Sequence, residues 1–222
     1  MRVDGQARWD DMQEAHADPA VGQVAQALAG ADALERMLLY AMTAARLQPA
    51  PDRVLSAKKG RMSEADVRRA SVIDQAAAEW RRSLDAEQFK FRRAAVIERL
   101  TVLLVKSHVA ATDVHEETRV VLSDDSVTTP FDVLAAPLGT TWEGIECKAA
   151  ADLSDTQGAE LSWAAETADR LGDQLNVVIA SAADRATLVP VIRTRVKRSD
   201  LVYFVAADTF ASLARPAPRY RI

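Results

Sequence analysis

The chain has 222 residues, 49% of them hydrophobic, and a formal net charge of −4. That content can pack one domain, or one domain with a helical appendage, and it excludes a disordered chain. With one cysteine and three histidines, a disulfide framework, a Cys/His zinc cage and an iron–sulfur cluster are excluded as well.

Cys147 reads as a reduced thiol. The charged stretch Met1 to Asp11 lacks the apolar run of a signal peptide. Apolar runs such as Leu100 to Val105 and Leu201 to Ala207 are far short of a membrane span. The expectation is a cytoplasmic protein that does not engage a membrane. Charge is uneven along the chain: −3 over residues 1–50, +4 over 51–100, −10 over 101–190 and +5 over 191–222. An acidic middle suited to a cation thus lies between basic segments suited to a polyanion.

From Pro19 to Leu47, apolar residues recur at helical spacing (Val24, Leu28, Leu34, Leu38, Leu39), with a break at Gly30. Gln48-Pro49-Ala50-Pro51 ends this stretch, since proline removes a donor and clashes with the preceding turn. Ser63 caps a further helix to about Arg82, with Glu64 and Asp66 suited to its dipole. Another helix runs from about Asp85 to Val109. Residues 1–84 therefore read as an α-helical region that dimerises the protein or docks a partner, and residues 85–222 as a second domain.

Beyond residue 110 the period changes. Arg119 to Leu122 and a Ser123–Ser126 turn predict a hairpin, and Phe131 to Ala136 a second strand. Pro137-Leu138-Gly139 turns the chain into a third strand, Thr141 to Lys148. Ser154 and Gln157 form a capping box for a helix whose apolar face is Leu161, Ala164, Ala165 and Ala168 and whose stop is Gly172. Leu175 to Ala180 and Leu201 to Ala206 read as buried strands, with a mixed segment between. This order predicts an α/β fold with a mixed sheet.

On the third strand, Trp142, Gly144, Glu146 and Lys148 alternate with Glu143, Ile145 and Cys147, so Glu146 and Lys148 share a face. Antiparallel pairing across the short turn brings Asp132 towards Glu146. Two carboxylates without a nearby imidazole or thiolate ligand suit a hard cation such as Mg²⁺. An adjacent ammonium suits charge growing on a phosphate.

Pro130-Phe131-Asp132, thirteen residues, then Glu146-Cys147-Lys148 resembles the signature of the PD-(D/E)xK nuclease superfamily. The likeness spans roughly residues 85–182. It implies a restriction-endonuclease-like αβββαβ core, with Asp132 and Glu146 as metal ligands, the Cys147 backbone carbonyl as a third, and Lys148 as the catalytic lysine. It also points to Glu98, on the preceding helix, as a further ligand. Phe131 interrupts the family's Pro-Asp, and the Gln-x-x-x-Tyr signature of one large branch is absent, Leu161 standing four after Gln157. The function implied is Mg²⁺-dependent phosphodiester hydrolysis, with Mn²⁺ able to substitute, by a DNA endonuclease of prokaryotic restriction or antiphage defence. RNA is the second substrate, and a nuclease-like fold that only binds nucleic acid or protein is the alternative. Gln157 is read as a cap that also faces the site, and Arg193, Arg195, Lys197 and Arg198 as phosphate-gripping cations. His115-Glu116-Glu117 is expected to be solvated, Asp124 and Asp125 to make a turn, and Trp142 to pack rather than stack on bases.

Overall fold

The computed structural model describes residues 1–5, 10–44, 62–136, 141–215 and 219–221. The stops expected at residues 48–51 and 137–139 lie outside these. Contacts divide the chain into two compact units: Trp9–Leu103, which is helical, and Met1–Arg8 with Leu104–Ile222, which holds the sheet. The boundary expected after residue 84 falls within the helical unit.

That unit contains α1 (Asp10–Ala17), α2 (Pro19–Ala29), α3 (Leu34–Ala44), α4 (Glu64–Ser83) and most of α5 (Ala86–Lys106). Asp18 caps α2 by accepting the Ala20 N–H at 2.9 Å, with Pro19 preset for the first turn. Ser63 caps α4 through the Asp66 N–H at 3.1 Å. Val21, Leu28, Met37, Leu38, Ile73 and Trp80 are buried in it. Two polar groups here share one partner: the Trp80 indole N–H and the Arg92 guanidinium both donate to Asp18 Oδ2, at 2.9 and 3.1 Å.

In the other unit seven described strands form one mixed sheet in chain order: β1 (Arg2–Gly5), β2 (Val114–Val121), β3 (Phe131–Ala135), β4 (Trp142–Lys148), β5 (Leu175–Ser181), β6 (Tyr203–Val205) and β7 (Tyr220–Arg221). The β4–β5 and β5–β6 pairs are parallel and the others antiparallel. The expected α/β class with a mixed sheet is therefore present. β1 and β7 are additional to the sequence reading. The strand expected over 201–206 is shorter, because Ser199–Leu201 forms a 3₁₀ turn.

Parallel neighbours need crossovers, and helices supply them. α6 (Asp155–Leu171) links β4 to β5 and α7 (Arg185–Arg195) links β5 to β6. The Ser154/Gln157 capping box starts α6, and Gly172 ends it with the left-handed φ of 70° that glycine accepts without strain. Leu161, Ala164, Ala165 and Ala168 pack with Leu175, Val177 and Ile179 of β5 and Leu188 and Ile192 of α7. α7 occupies the segment read only as mixed. Asp184 caps it through the Thr187 N–H at 2.8 Å, and Pro190 lies inside it.

The two crossover helices touch at Gly158, where a Cβ would stand 2.2 Å from the Arg195 carbonyl oxygen. Backbone cannot retreat as a side chain tip can. Gly158→Ala should therefore cost about 1–3 kcal/mol in chemical denaturation, and wild-type stability in that variant would contradict the close approach.

Candidate functional site

Alternation along β4 sets the site. Ile145 and Cys147 are buried, while Glu146 and Lys148 are mostly covered, each side chain 14% exposed. Glu143, on the Ile145 side, is not a lone buried charge: its Oε2 accepts both Nη2 and Nε of Arg219, at 2.8 and 3.2 Å. Trp142 packs at the edge of the apolar core, its ring 5.8 Å from that of His115, as a structural aromatic does.

The β3–β4 register pairs Ala135 with Glu143, Leu134 with Gly144 and Val133 with Ile145. One step further, Asp132 stands opposite Glu146. Asp132 Oδ2 accepts the backbone N–H of Cys147 at 2.6 Å, so the tripeptide Glu146-Cys147-Lys148 itself orients this carboxylate. Lys148 Nζ donates to Glu146 Oε1 at 2.8 Å. Burial pulls the Lys148 ammonium towards neutrality. The charges of Glu146, Asp132 and Asp152 and the hydrogen bond to Glu146 together outweigh burial and hold it above its ordinary value. Lys148 is a cation at neutral pH, not a base.

A third carboxylate joins the row. Glu116 pairs with Val133 and Thr118 with Phe131, so Glu117 lies opposite Asp132, and a carboxylate oxygen of one is within 4.8 Å of one of the other. Three adjacent strands thus place Glu117, Asp132 and Glu146 in line. Glu117 also has a left-handed φ of 48°, a conformation that strains a non-glycine residue by roughly 1–3 kcal/mol. The expectation that His115-Glu116-Glu117 is solvated needs correcting: all three are half-buried, and Glu116 Oε1 stands 3.8 Å from Lys106 Nζ. Period-2 reading from Val114 would have put Glu117 on the strand, but the backbone turn at this residue has no sequence signature.

Asparagine tolerates left-handed backbone and carries no charge. Glu117→Asn should therefore raise stability by about 1 kcal/mol, from relief of strain and of repulsion by Asp132. Denaturant titration showing a loss instead would mean that the Glu117 carboxylate is a net stabiliser.

The other expected residues have partners of their own or are exposed. Glu98 belongs to the helical unit, where its Oε2 meets His16 Nε2 at 2.7 Å, both side chains being nearly enclosed. Gln157 acts as a cap: its Oε1 accepts the Ser154 N–H at 3.2 Å. Arg195 is paired with Asp155, and Arg198 forks onto Asp200 at 2.9 and 3.0 Å. Arg193 and Lys197 are exposed. Asp124 and Asp125 make the expected turn, Asp124 Oδ1 accepting the Ser126 N–H at 3.0 Å and Asp125 taking a φ of 64°.

Hard oxygen donors on neighbouring strands, one of them strained, beside a cation held charged by those same acids, are a donor set that a divalent hard metal fits and a soft one does not. Among the described residues no helix is long and apolar enough to cross a membrane. Comparison with models of known protein families finds no match, and comparison with curated proteins finds none either.

Proposed function

We propose that this protein is a metal-dependent nuclease with a restriction-endonuclease-like core, cutting DNA in preference to RNA, of the kind used in prokaryotic restriction or antiphage defence. The observation that carries the reading is the cross-strand opposition of Asp132 and Glu146 that the β3–β4 register sets, with Lys148 bonded to Glu146. The succession α5, β2, β3, β4, α6, β5 supports it, being the αβββαβ order that the signature implies.

Asp132 and Glu146 would hold Mg²⁺ or Mn²⁺, with the Cys147 carbonyl as a third oxygen. The cation would supply Lewis-acid polarisation of the phosphate and a more acidic bound water. The chain's own groups do the rest. The Cys147 N–H fixes the rotamer of Asp132. Lys148, already charged, stabilises negative charge on the phosphate as it grows in the transition state, where a preorganised cation acts without reorganisation. Arg193 and Lys197, exposed on and just beyond α7, would offer phosphate contacts outside the site.

The test is direct. Purified full-length chain is incubated with supercoiled plasmid, linear single-stranded DNA and RNA, each with Mg²⁺, Mn²⁺ or EDTA. Nicking or linearisation of plasmid with either metal and none in EDTA is the expected result. No cleavage of any substrate with either metal would remove the reading.

A further inference from the structure

β1 pairs with β2 on one side, and among the described residues no strand pairs with its other side. All four of its residues are exposed, and Met1 and Val3 are two of the most exposed large apolar side chains, at 41% and 37%. The direction of its backbone groups follows from β2. Val120, the register partner of Val3, gives its N–H to Thr128 Oγ1 and accepts the Thr128 N–H, both at 3.0 Å. Both groups of Val120 therefore point away from β1. Residues directly opposite in an antiparallel pair turn their groups both inward or both outward. The N–H and C=O of Val3 thus face the open edge.

We propose that this edge binds the same strand of a second copy of the chain, antiparallel about a two-fold axis at Val3, joining two sheets into one. Val3 would exchange both of its backbone hydrogen bonds with Val3 of the second copy, and Gly5 would do so with Met1. Arg2 then stands opposite Asp4 of the second copy, and Asp4 opposite Arg2. These are the non-hydrogen-bonded positions, where side chains approach most closely. Met1 and Val3 of both copies line up on the other face and cover one another. Asp4 also lies opposite Arg119 of β2, so the row reads basic, acidic, basic across the junction. Charges on an edge strand ordinarily repel chance pairing. An Arg-x-Asp edge admits a strand with the reverse order of charge, and this strand read antiparallel is one. Such a contact is self-complementary, as a two-fold interface must be. It does not depend on the nuclease reading, because its readout is mass rather than cleavage.

The experiment is sedimentation of the full chain over a dilution series, with any purification tag at the C-terminus. Wild type should show a concentration-dependent dimer of the 24.2 kDa chain. Val3→Pro removes an N–H that β1–β2 pairing does not use, so it should abolish the dimer while leaving the melting temperature of the monomer near wild type. Arg2→Glu alone sets acid against acid, and Asp4→Lys alone sets base against base, so each should be monomeric. Their equimolar mixture should dimerise, since Glu meets Lys and Asp meets Arg at every crossing. Wild type that stays monomeric at all concentrations, a dimer unaffected by Val3→Pro, or a mixture that fails to pair would each overturn the proposal, the second by placing the contact on another surface. Pairing of the mixture also distinguishes a second copy from a foreign strand, which would bind neither variant in preference.

Discussion

Lys148→Ala should slow metal-dependent phosphodiester cleavage about 10²–10³-fold while leaving nucleic-acid affinity close to wild type. Removing one preorganised charge from a developing oxyanion has an effect of that order. Read through kcat and KM, the loss should fall on kcat. The fold will not be indifferent. The ammonium is the hydrogen-bonded counter-ion of Glu146 at 2.8 Å, with both side chains 14% exposed. Its removal strands a carboxylate beside Asp132, at a cost of about 1–3 kcal/mol. Adding Mg²⁺ should recover part of that stability without recovering activity, because the metal neutralises the acids but cannot replace the lysine. Lys148→Met, which keeps most of the volume, should behave in the same way and so separate charge from packing. The pH dependence has a definite sign. The folded-state value of Lys148 is raised above the ordinary 10.5, so its contribution to stability is complete below that value and is lost as pH rises through the raised one. Stability at neutral pH should not reflect its titration. Unimpaired cutting by either variant would show that Lys148 takes no part in the reaction.

Asp132→Asn should reduce cleavage at least about 100-fold by weakening the metal site. Yet Asn Oδ1 can still accept the Cys147 N–H that holds Asp132 Oδ2 at 2.6 Å, so the strand ends should stay in register. One negative charge also disappears from between Glu117 and Glu146. Without metal the variant should therefore melt at the wild-type temperature or above it. With metal the order reverses. Wild type gains by mass action, about 2.7 kcal/mol at a hundred times the dissociation constant, and Asp132→Asn should gain little. Thermal melts across a Mg²⁺ or Mn²⁺ titration measure both effects. Identical metal-induced shifts in the two proteins would exclude Asp132 as a ligand.

Much of this arrangement can be read from the residues alone, where local chemistry decides it. Ser154 with Gln157, Gly172 at the helix end, and the alternation of Ile145 and Cys147 with Glu146 and Lys148 depend on neighbours within a few positions. So does the opposition of Asp132 and Glu146, which needs only a short turn and an antiparallel register. What escaped depends on distant partners. β1 has two charged residues in four and becomes a strand only because β2 lends it an edge. α7 contains Pro190 and ends on Arg193 and Arg195, and its helical identity rests on the Asp184 cap and on burial of Leu188 and Ile192. Glu98 stood in the sequence only as a further ligand, and nothing local announces that its carboxylate meets His16, 82 positions earlier. Arg195 looked available to phosphate until Asp155, 40 positions earlier, was brought beside it, whereas the Arg198–Asp200 pair is local and was passed over.

The Arg219–Glu143 pair carries a consequence for how the molecule comes into being. Glu143 lies on β4, three residues before Glu146, and its side chain is 7% exposed; the guanidinium that neutralises it arrives 76 positions later and also donates to the Ser212 carbonyl at 2.7 Å. An enclosed carboxylate without its cation costs several kcal/mol, a large share of the stability of an ordinary domain. While the polypeptide is still on the ribosome and residue 219 has not emerged, the strand bearing Glu146 and Lys148 cannot settle into the sheet without that penalty. Translation order thus delays the settling of β4, and with it the pairing of Glu146 and Lys148, until residue 219 has emerged.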